Sequence, residues 1–180
     1  VTMTGLQPAL GAGFGCGTIV GMDSALRPRR SVLFMPGANA RALEKARSID
    51  CDGIIIDLED AVAPDLKVEA RERTAGVVRG HPYGYREVAI RVNGMDTQWY
   101  HDDLVAAVAA GPDAIAVPKV SSAEQVRAIV ADMEAAGADK SVKLWAMIET
   151  PRAVLDCLDI AEASDRLTVL ILSLIHISEP

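Results

Sequence analysis

Residues able to do chemistry recur at one kind of place in this chain, the end of a short apolar run. Residues 53–58 end in Asp57-Leu58-Glu59-Asp60, and residues 87–92 end in Arg91-Val92-Asn93. Residues 114–117 lead into Pro118-Lys119, and residues 142–148 lead into Glu149-Thr150. Glu149 follows Trp145-Ala146-Met147-Ile148, so its backbone is expected to be buried. A carboxylate there needs a cation, because an unpaired buried charge is very costly. Two readings satisfy it: an ion pair with a neighbouring Arg or Lys, or a metal. Hard oxygen ligands at a rim open to substrate suit Mg²⁺, with Mn²⁺ as a substitute, rather than zinc. Arg91 has the same ambiguity. It can pair with Glu59 or Asp60, or grip a substrate carboxylate through two parallel hydrogen bonds. Lys119 is either a solvated rim residue or a second substrate-binding cation. Asp57, Glu59 and Asp60 are expected to include one residue that supports the site from behind and one that faces solvent.

The elements that must position these residues alternate strictly. Residues 31–35 read as a strand closed by Pro36-Gly37, and Asn39 as the cap of a helix over residues 40–47. The β-branched run at 53–58 suits a parallel strand buried on both faces. A helix is expected over 66–78, with Ala70, Thr74, Val77 and Val78 on one side, and a third strand over 87–92. Residues 102–110 form an Ala-rich helix stopped by Gly111-Pro112. A fourth strand takes 114–117. Val126, Ile129, Val130 and Met133 make a helical stripe between Ser122 as cap and Gly137 as terminator. A fifth strand covers 142–148. Pro151 suits the first turn of a helix whose buried stripe would be Val154, Leu155, Leu158 and Ala161. A sixth strand covers 167–172. This βα repetition implies a parallel α/β sheet with right-handed crossovers, closed either as a barrel or as an open doubly wound sheet.

In a parallel barrel the site lies at the carboxyl ends of the strands, and four successive strands here end in charged or amide groups. The other polar features are quieter. Residues 11–17 are Gly-rich, but no strand precedes them, so they are weak evidence for phosphate binding. His81 and His101 lack ligand spacing and read as surface residues; His176 completes the three histidines. Cys16, Cys51 and Cys157 are scattered and odd in number, which argues against a disulfide framework or a zinc site and fits a reducing cytoplasm. Cys51 and Cys157 are expected in the core. A net charge of −7 argues against nucleic acid as the main partner. No apolar run is long enough to span a membrane. Residues 1–28 read as a leader, disordered or translated ahead of a start at Met22.

At these residues the chain resembles a known family. Arg29-Arg30-Ser31-Val32-Leu33-Phe34-Met35-Pro36-Gly37-Ala38-Asn39 is similar to the opening of citrate lyase β-subunits and of malyl-CoA or citramalyl-CoA lyases, the HpcH/HpaI aldolase superfamily. Four blocks match in order: Ile56-Asp57-Leu58-Glu59-Asp60-Ala61-Val62, Arg91-Val92-Asn93-Gly94, Val117-Pro118-Lys119-Val120 and Met147-Ile148-Glu149-Thr150-Pro151. The resemblance runs from Arg29 to about Leu170. It implies a (β/α)₈ TIM barrel and Mg²⁺-dependent cleavage or formation of a carbon–carbon bond. The implied partners are a 2-oxo acid and a CoA or acyl-carrier thioester of the citryl, malyl or citramalyl kind, in a homo-oligomeric full-length parent. It implies Glu149 as metal ligand and substrate contact, Arg91 as the residue that binds the oxo acid carboxylate, and Arg30 and Lys45 as contacts to CoA phosphates. Acid–base work in the family is credited to groups outside this segment.

The resemblance also implies a second metal ligand, an Asp just after the sixth strand. The chain reads Ile171-Leu172-Ser173-Leu174-Ile175-His176-Ile177-Ser178-Glu179-Pro180, with no Asp there. Residues 172–180 thus read as a non-family tail on a barrel of about six βα units. Such an open arc has two unpaired edges, and expressed alone it is expected to be insoluble or inactive. Two other readings compete with the thioester lyase: a metal-dependent aldolase of free 2-oxo-3-deoxy acids, and a non-catalytic subunit that keeps the fold without full metal ligation.

Overall fold

The computed structural model describes residues 27–80 and 82–173. The strands are β1 (Val32–Pro36), β2 (Gly53–Asp57), β3 (Glu87–Arg91), β4 (Ala114–Val117), β5 (Lys143–Ile148) and β6 (Leu167–Leu172). Between them lie α1 (Ala40–Ala46), α2 (Lys67–Val78), α3 (Tyr100–Ala110), α4 (Ala123–Ala135), α5 (Pro151–Leu155) and α6 (Cys157–Ala161). A 3₁₀ turn, Pro64–Leu66, leads into α2. The strands lie side by side in chain order, each pair parallel. A doubly wound sheet reverses its strand order at a switch point. No reversal occurs here, so the six units form an arc of a (β/α)₈ barrel.

Alternation along each strand sorts the core into two layers. Ile54, Ile56, Val88, Ile90, Ile115, Val117, Leu144 and Ile148 face the helices and meet Leu43, Ala70, Leu104, Ile129 and Met133. Ile55, Ala89, Ala114, Ala116 and Trp145 form the inner cluster, with Val32, Val169 and Ile171 against it. Each fully buried isoleucine of β2 contributes about 1.5–3 kcal/mol relative to exposure. The small residues of β3 and β4 leave room inside for the Trp145 indole. Where the strands begin, ion pairs fix the chain: Arg29 with Glu87, Arg30 with Asp52 and Arg27 with Asp113.

The caps follow the sequence. The Asn39 side chain accepts from the Ala42 amide, and Ser122 accepts from Gln125. Gly111 ends α3 in the left-handed conformation, at φ 68°, where a Cβ would be strained. The last helix departs from its predicted form. The chain breaks at Asp156 into two short helices, so periodicity counted from Val154 loses its phase. Ala153 and Ile160 are the buried residues, while Val154, Leu155, Leu158 and Ala161 are exposed, Leu155 by 81%. Cys157 is exposed rather than in the core, whereas Cys51 is buried as expected. The Gly-rich run at 11–17, residues 1–26 of the expected 1–28 leader, Cys16, His81, His176 and residues 174–180 lie outside the described residues.

Candidate active site at the carboxyl ends of the strands

Strand register brings the first two site residues together. Asp57 and Arg91 are direct partners across β2 and β3. Arg91 Nε donates to Asp57 Oδ1 and Nη2 to Oδ2, both at 2.6 Å. The same carboxylate accepts from the backbone amides of Glu59 and Ala61, at 2.8 and 2.9 Å. Asp57 thereby curls the turn after β2 back over the rim. Glu59 Oε2 then lies 3.2 Å from Arg91 Nη1, and Asp60 Oδ2 lies 3.4 Å from it. The guanidinium rests over the Phe34 ring and touches Met147 Sδ at the end of β5. Burial lowers the Arg91 pKa, but the Asp57 hydrogen bonds and the charges of Asp57, Glu59 and Asp60 outweigh it, and the net shift is upward.

Glu59 is the strained member of this group. Its Oε1 is 3.3 Å from Lys119 Nζ. Its Oε2, though near Arg91, is outside hydrogen-bonding geometry and is buried without a hydrogen-bond partner among the described residues. Burial pushes the Glu59 carboxyl above its ordinary range; Arg91 and Lys119 pull it down and Asp60 pushes it up, leaving it raised.

Glu149 sits one residue beyond β5 and is 3% exposed. Its Oε2 accepts from the Lys119 backbone amide at 2.9 Å. No ion pair among the described residues reaches it, so the ion-pair reading of this carboxylate is not realised. The rim gathers four carboxylates, from Asp57, Glu59, Asp60 and Glu149, against the cations of Arg91, Lys119 and Lys67. That balance favours an added cation. Among the described residues no three His, Cys, Asp or Glu side chains cluster into a closed metal cage. Mg²⁺ does not require one: it commonly takes one or two carboxylates and completes its shell with substrate oxygens and water. Glu149 fits that use.

The sequence reading missed Lys67. Its ammonium, buried at the start of α2, donates to Leu58 O, Glu59 O and Asn93 Oδ1 at 2.7–2.8 Å. Asn93 also donates to Leu58 O and to Asp103, which Arg71 holds from outside. Asn93 is therefore a tie between strand ends. The signal was present: Lys67 lies one helical turn before Ala70 and two before Thr74, and shares their buried face. Gly37 is the other unnoticed residue. Its amide donates to Asp57 O, and a Cβ there would stand 2.6 Å from Thr74 Oγ1.

Two expected substrate contacts are not brought to the rim. Arg30 precedes β1 and is paired with Asp52, which precedes β2, so it lies at the opposite end of the strands. Lys45 is in the last turn of α1, the end that leads back to the start of β2. Both were expected from the family resemblance alone, which does not say at which end of its element a residue lies. His101, near the start of α3, is exposed as expected.

Residues 30–174 match the family model described as HpcH/HpaI aldolase/citrate lyase. A (3S)-malyl-CoA thioesterase of Cereibacter sphaeroides is 47% identical over 151 residues, covering 84% of this chain and 50% of that protein. The citrate lyase subunit beta of Escherichia coli K12 is 36% identical over 146 residues, covering 78% of this chain and 48% of that one. The chain spans about half the length of the curated relatives it matches. Among solved structures, a citrate lyase beta subunit from M. tuberculosis complexed with oxaloacetate and magnesium superposes with a TM-score of 0.61 at 28% identity, covering 78% of this chain and 56% of that one. The chain belongs to the HpcH/HpaI aldolase/citrate lyase family.

Proposed function

From that membership and the rim geometry, we propose that this chain carries the ion- and oxo-acid-binding part of a Mg²⁺-dependent lyase. The lyase would cleave or form the carbon–carbon bond of a 3-hydroxyacyl thioester of the citryl, malyl or citramalyl type. One observation supports this above the others: Glu149 is buried without an ion-pair partner among the described residues, at the rim that also holds Arg91 and Lys119. Oxaloacetate and magnesium in the M. tuberculosis relative agree with that chemistry.

Cleavage of such a thioester gives a 2-oxo acid and the enolate of the shorter acyl thioester. Glu149 would hold the Mg²⁺, which supplies Lewis acidity at the hydroxyl or oxo oxygen. Arg91 binds the oxo acid carboxylate through Nη1, the nitrogen that Asp57 leaves free. Because Asp57 fixes the guanidinium plane beforehand, little reorganisation is needed when the anion arrives. Lys119 offers a second, half-exposed cation beside it. Glu59 lies between these two cations and Asp60 beside Arg91, so their charges are offset before substrate enters. The thioester's CoA or acyl carrier is the second partner. The scattered cysteines support a cytoplasmic location. The parent is read as a homo-oligomer, which light scattering would check.

A second reading has its own support. Relatives at 47% identity are named malyl-CoA thioesterases, so the same thioester class could be hydrolysed instead. Incubation of the full-length parent with Mg²⁺ and malyl-CoA separates the two. Release of 2-oxo acid without free thiol is the expected result. Free thiol without 2-oxo acid would favour hydrolysis, and neither product would count against both readings.

A further inference from the structure

Lys119 is the one non-glycine residue with positive φ among the described residues, at 56°. A residue with a Cβ is disfavoured there, and such conformations persist when the surroundings hold them in place. The conformation has a visible consequence. At Lys119 the amide leaves the β4–β5 ladder and donates to Glu149 Oε2, and one residue later Val120 rejoins by donating to Met147 O at 3.2 Å. The ladder is thus interrupted by one residue, and the freed amide is spent on the Glu149 carboxylate, leaving Oε1 for another partner.

We propose that Lys119 is the positioning residue for Glu149: its left-handed main chain aims the carboxylate, and its ammonium serves a separate task at Glu59. The second half explains why this position is not glycine. Glycine would adopt the same φ freely, but it could not place a cation 3.3 Å from Glu59. The metal consequence rests on the proposed role of Glu149; the backbone claim does not.

The test uses the full chain and Lys119→Gly, Lys119→Asn, Lys119→Val and Glu149→Ala, singly and with each position-119 change combined with Glu149→Ala. Gly and Asn tolerate left-handed backbone, whereas Val does not. Thermal unfolding should show Lys119→Gly and Lys119→Asn close to wild type and Lys119→Val clearly lower. The shift caused by Glu149→Ala should be alike in the wild-type, Gly and Asn backgrounds and different in the Val background. An equal Glu149→Ala shift in every background, or a Val variant as stable as the Gly one, would overturn the proposal. Mn²⁺ titration gives a second reading: Val should weaken binding by about tenfold or more, with rescue by Gly and Asn. Loss of Mn²⁺ binding in the Gly and Asn variants to the same extent as in Val would assign the effect to the ammonium and overturn the backbone claim. Wild-type protein that binds no Mn²⁺ would contradict the metal role of Glu149, and the unfolding comparison would still decide the role of Lys119.

Discussion

Arg91 and Asp57 face each other across β2 and β3 and share two parallel hydrogen bonds of 2.6 Å. The pairing uses Nε and Nη2, so Nη1 is the part of the guanidinium left to turn toward Glu59, Asp60 and an incoming anion. Arg91 is 7% exposed and Asp57 is buried more deeply still. Within that pair, orientation and stability depend on the same two bonds.

Removing one partner should therefore be severe. Asp57→Ala leaves the guanidinium buried beside a vacated acceptor and also frees the amides of Glu59 and Ala61. A loss of about 3–5 kcal/mol is expected from breaking a buried pair, read from urea unfolding. A loss under about 1 kcal/mol, the range of an exposed pair, would show that the turn after β2 is held by something else.

Arg91→Lys should keep much of the fold and lose the function. A lysine retains the charge but cannot match both Asp57 oxygens while presenting a third nitrogen. Affinity for a 2-oxo acid should fall by about tenfold or more, the equivalent of roughly 1.4 kcal/mol. Equal affinity in the two proteins would remove Arg91 from the anion site.

Most of the fold was legible because β-branched runs, caps and glycine stops agree with one another. The strand boundaries at Ala114–Val117 and Leu167–Leu172 fell where expected, and Asn39 and Ser122 cap as read. Sheet closure was not legible from alternation; it required the pairing order. The helix after Pro151 was misread because an apolar stripe cannot show a break in helical phase. At the site, strand-end position found Asp57, Arg91, Lys119 and Glu149. Lys67 escaped because its charge suggested solvent, though its helical phase put it on the buried face.

Lys67 supplies a test of that lesson. Lys67→Met removes three donations at once; Leu58 O keeps the Asn93 amide and Glu59 O keeps the Val62 amide, so Asn93 Oδ1 is the acceptor left without a partner among the described residues. One buried group left unsatisfied costs about 1–3 kcal/mol, so the transition should move to lower urea. A variant as stable as wild type would mean the loop does not depend on the ammonium.

Glu59 makes a pH-dependent prediction. Its carboxyl is raised in the folded protein, chiefly by burial, so the folded state binds its proton more tightly than the unfolded chain does. Its favourable contribution is complete below the unfolded value, about 4.3, and is lost as pH rises through the higher folded value. Glu59→Gln should then gain stability relative to wild type as pH climbs from acid toward neutral. Chemical unfolding at several pH values would read the difference, and a constant or opposite trend would show that Arg91 and Lys119 outweigh burial.

Gly37→Ala probes the contact between β1 and β2. The added methyl would meet Thr74 Oγ1, Asp57 O and Leu58 Cδ2, all within 3.0 Å. Overpacking of this kind costs about 1–3 kcal/mol and should displace Asp57, so weakened 2-oxo acid binding is expected together with a lower unfolding temperature. Unchanged values for both would mean the strand ends can part without harm.

The joint holding of an ion and an oxo acid by Glu149 and Arg91 is tested most directly by calorimetric titration of oxaloacetate with and without Mg²⁺. Wild-type protein should bind the acid more tightly when Mg²⁺ is present, and Glu149→Gln should abolish that gain while Arg91 still recognises the anion weakly. Identical binding curves with and without Mg²⁺ in wild type, or a Mg²⁺ gain that survives Glu149→Gln, would contradict it.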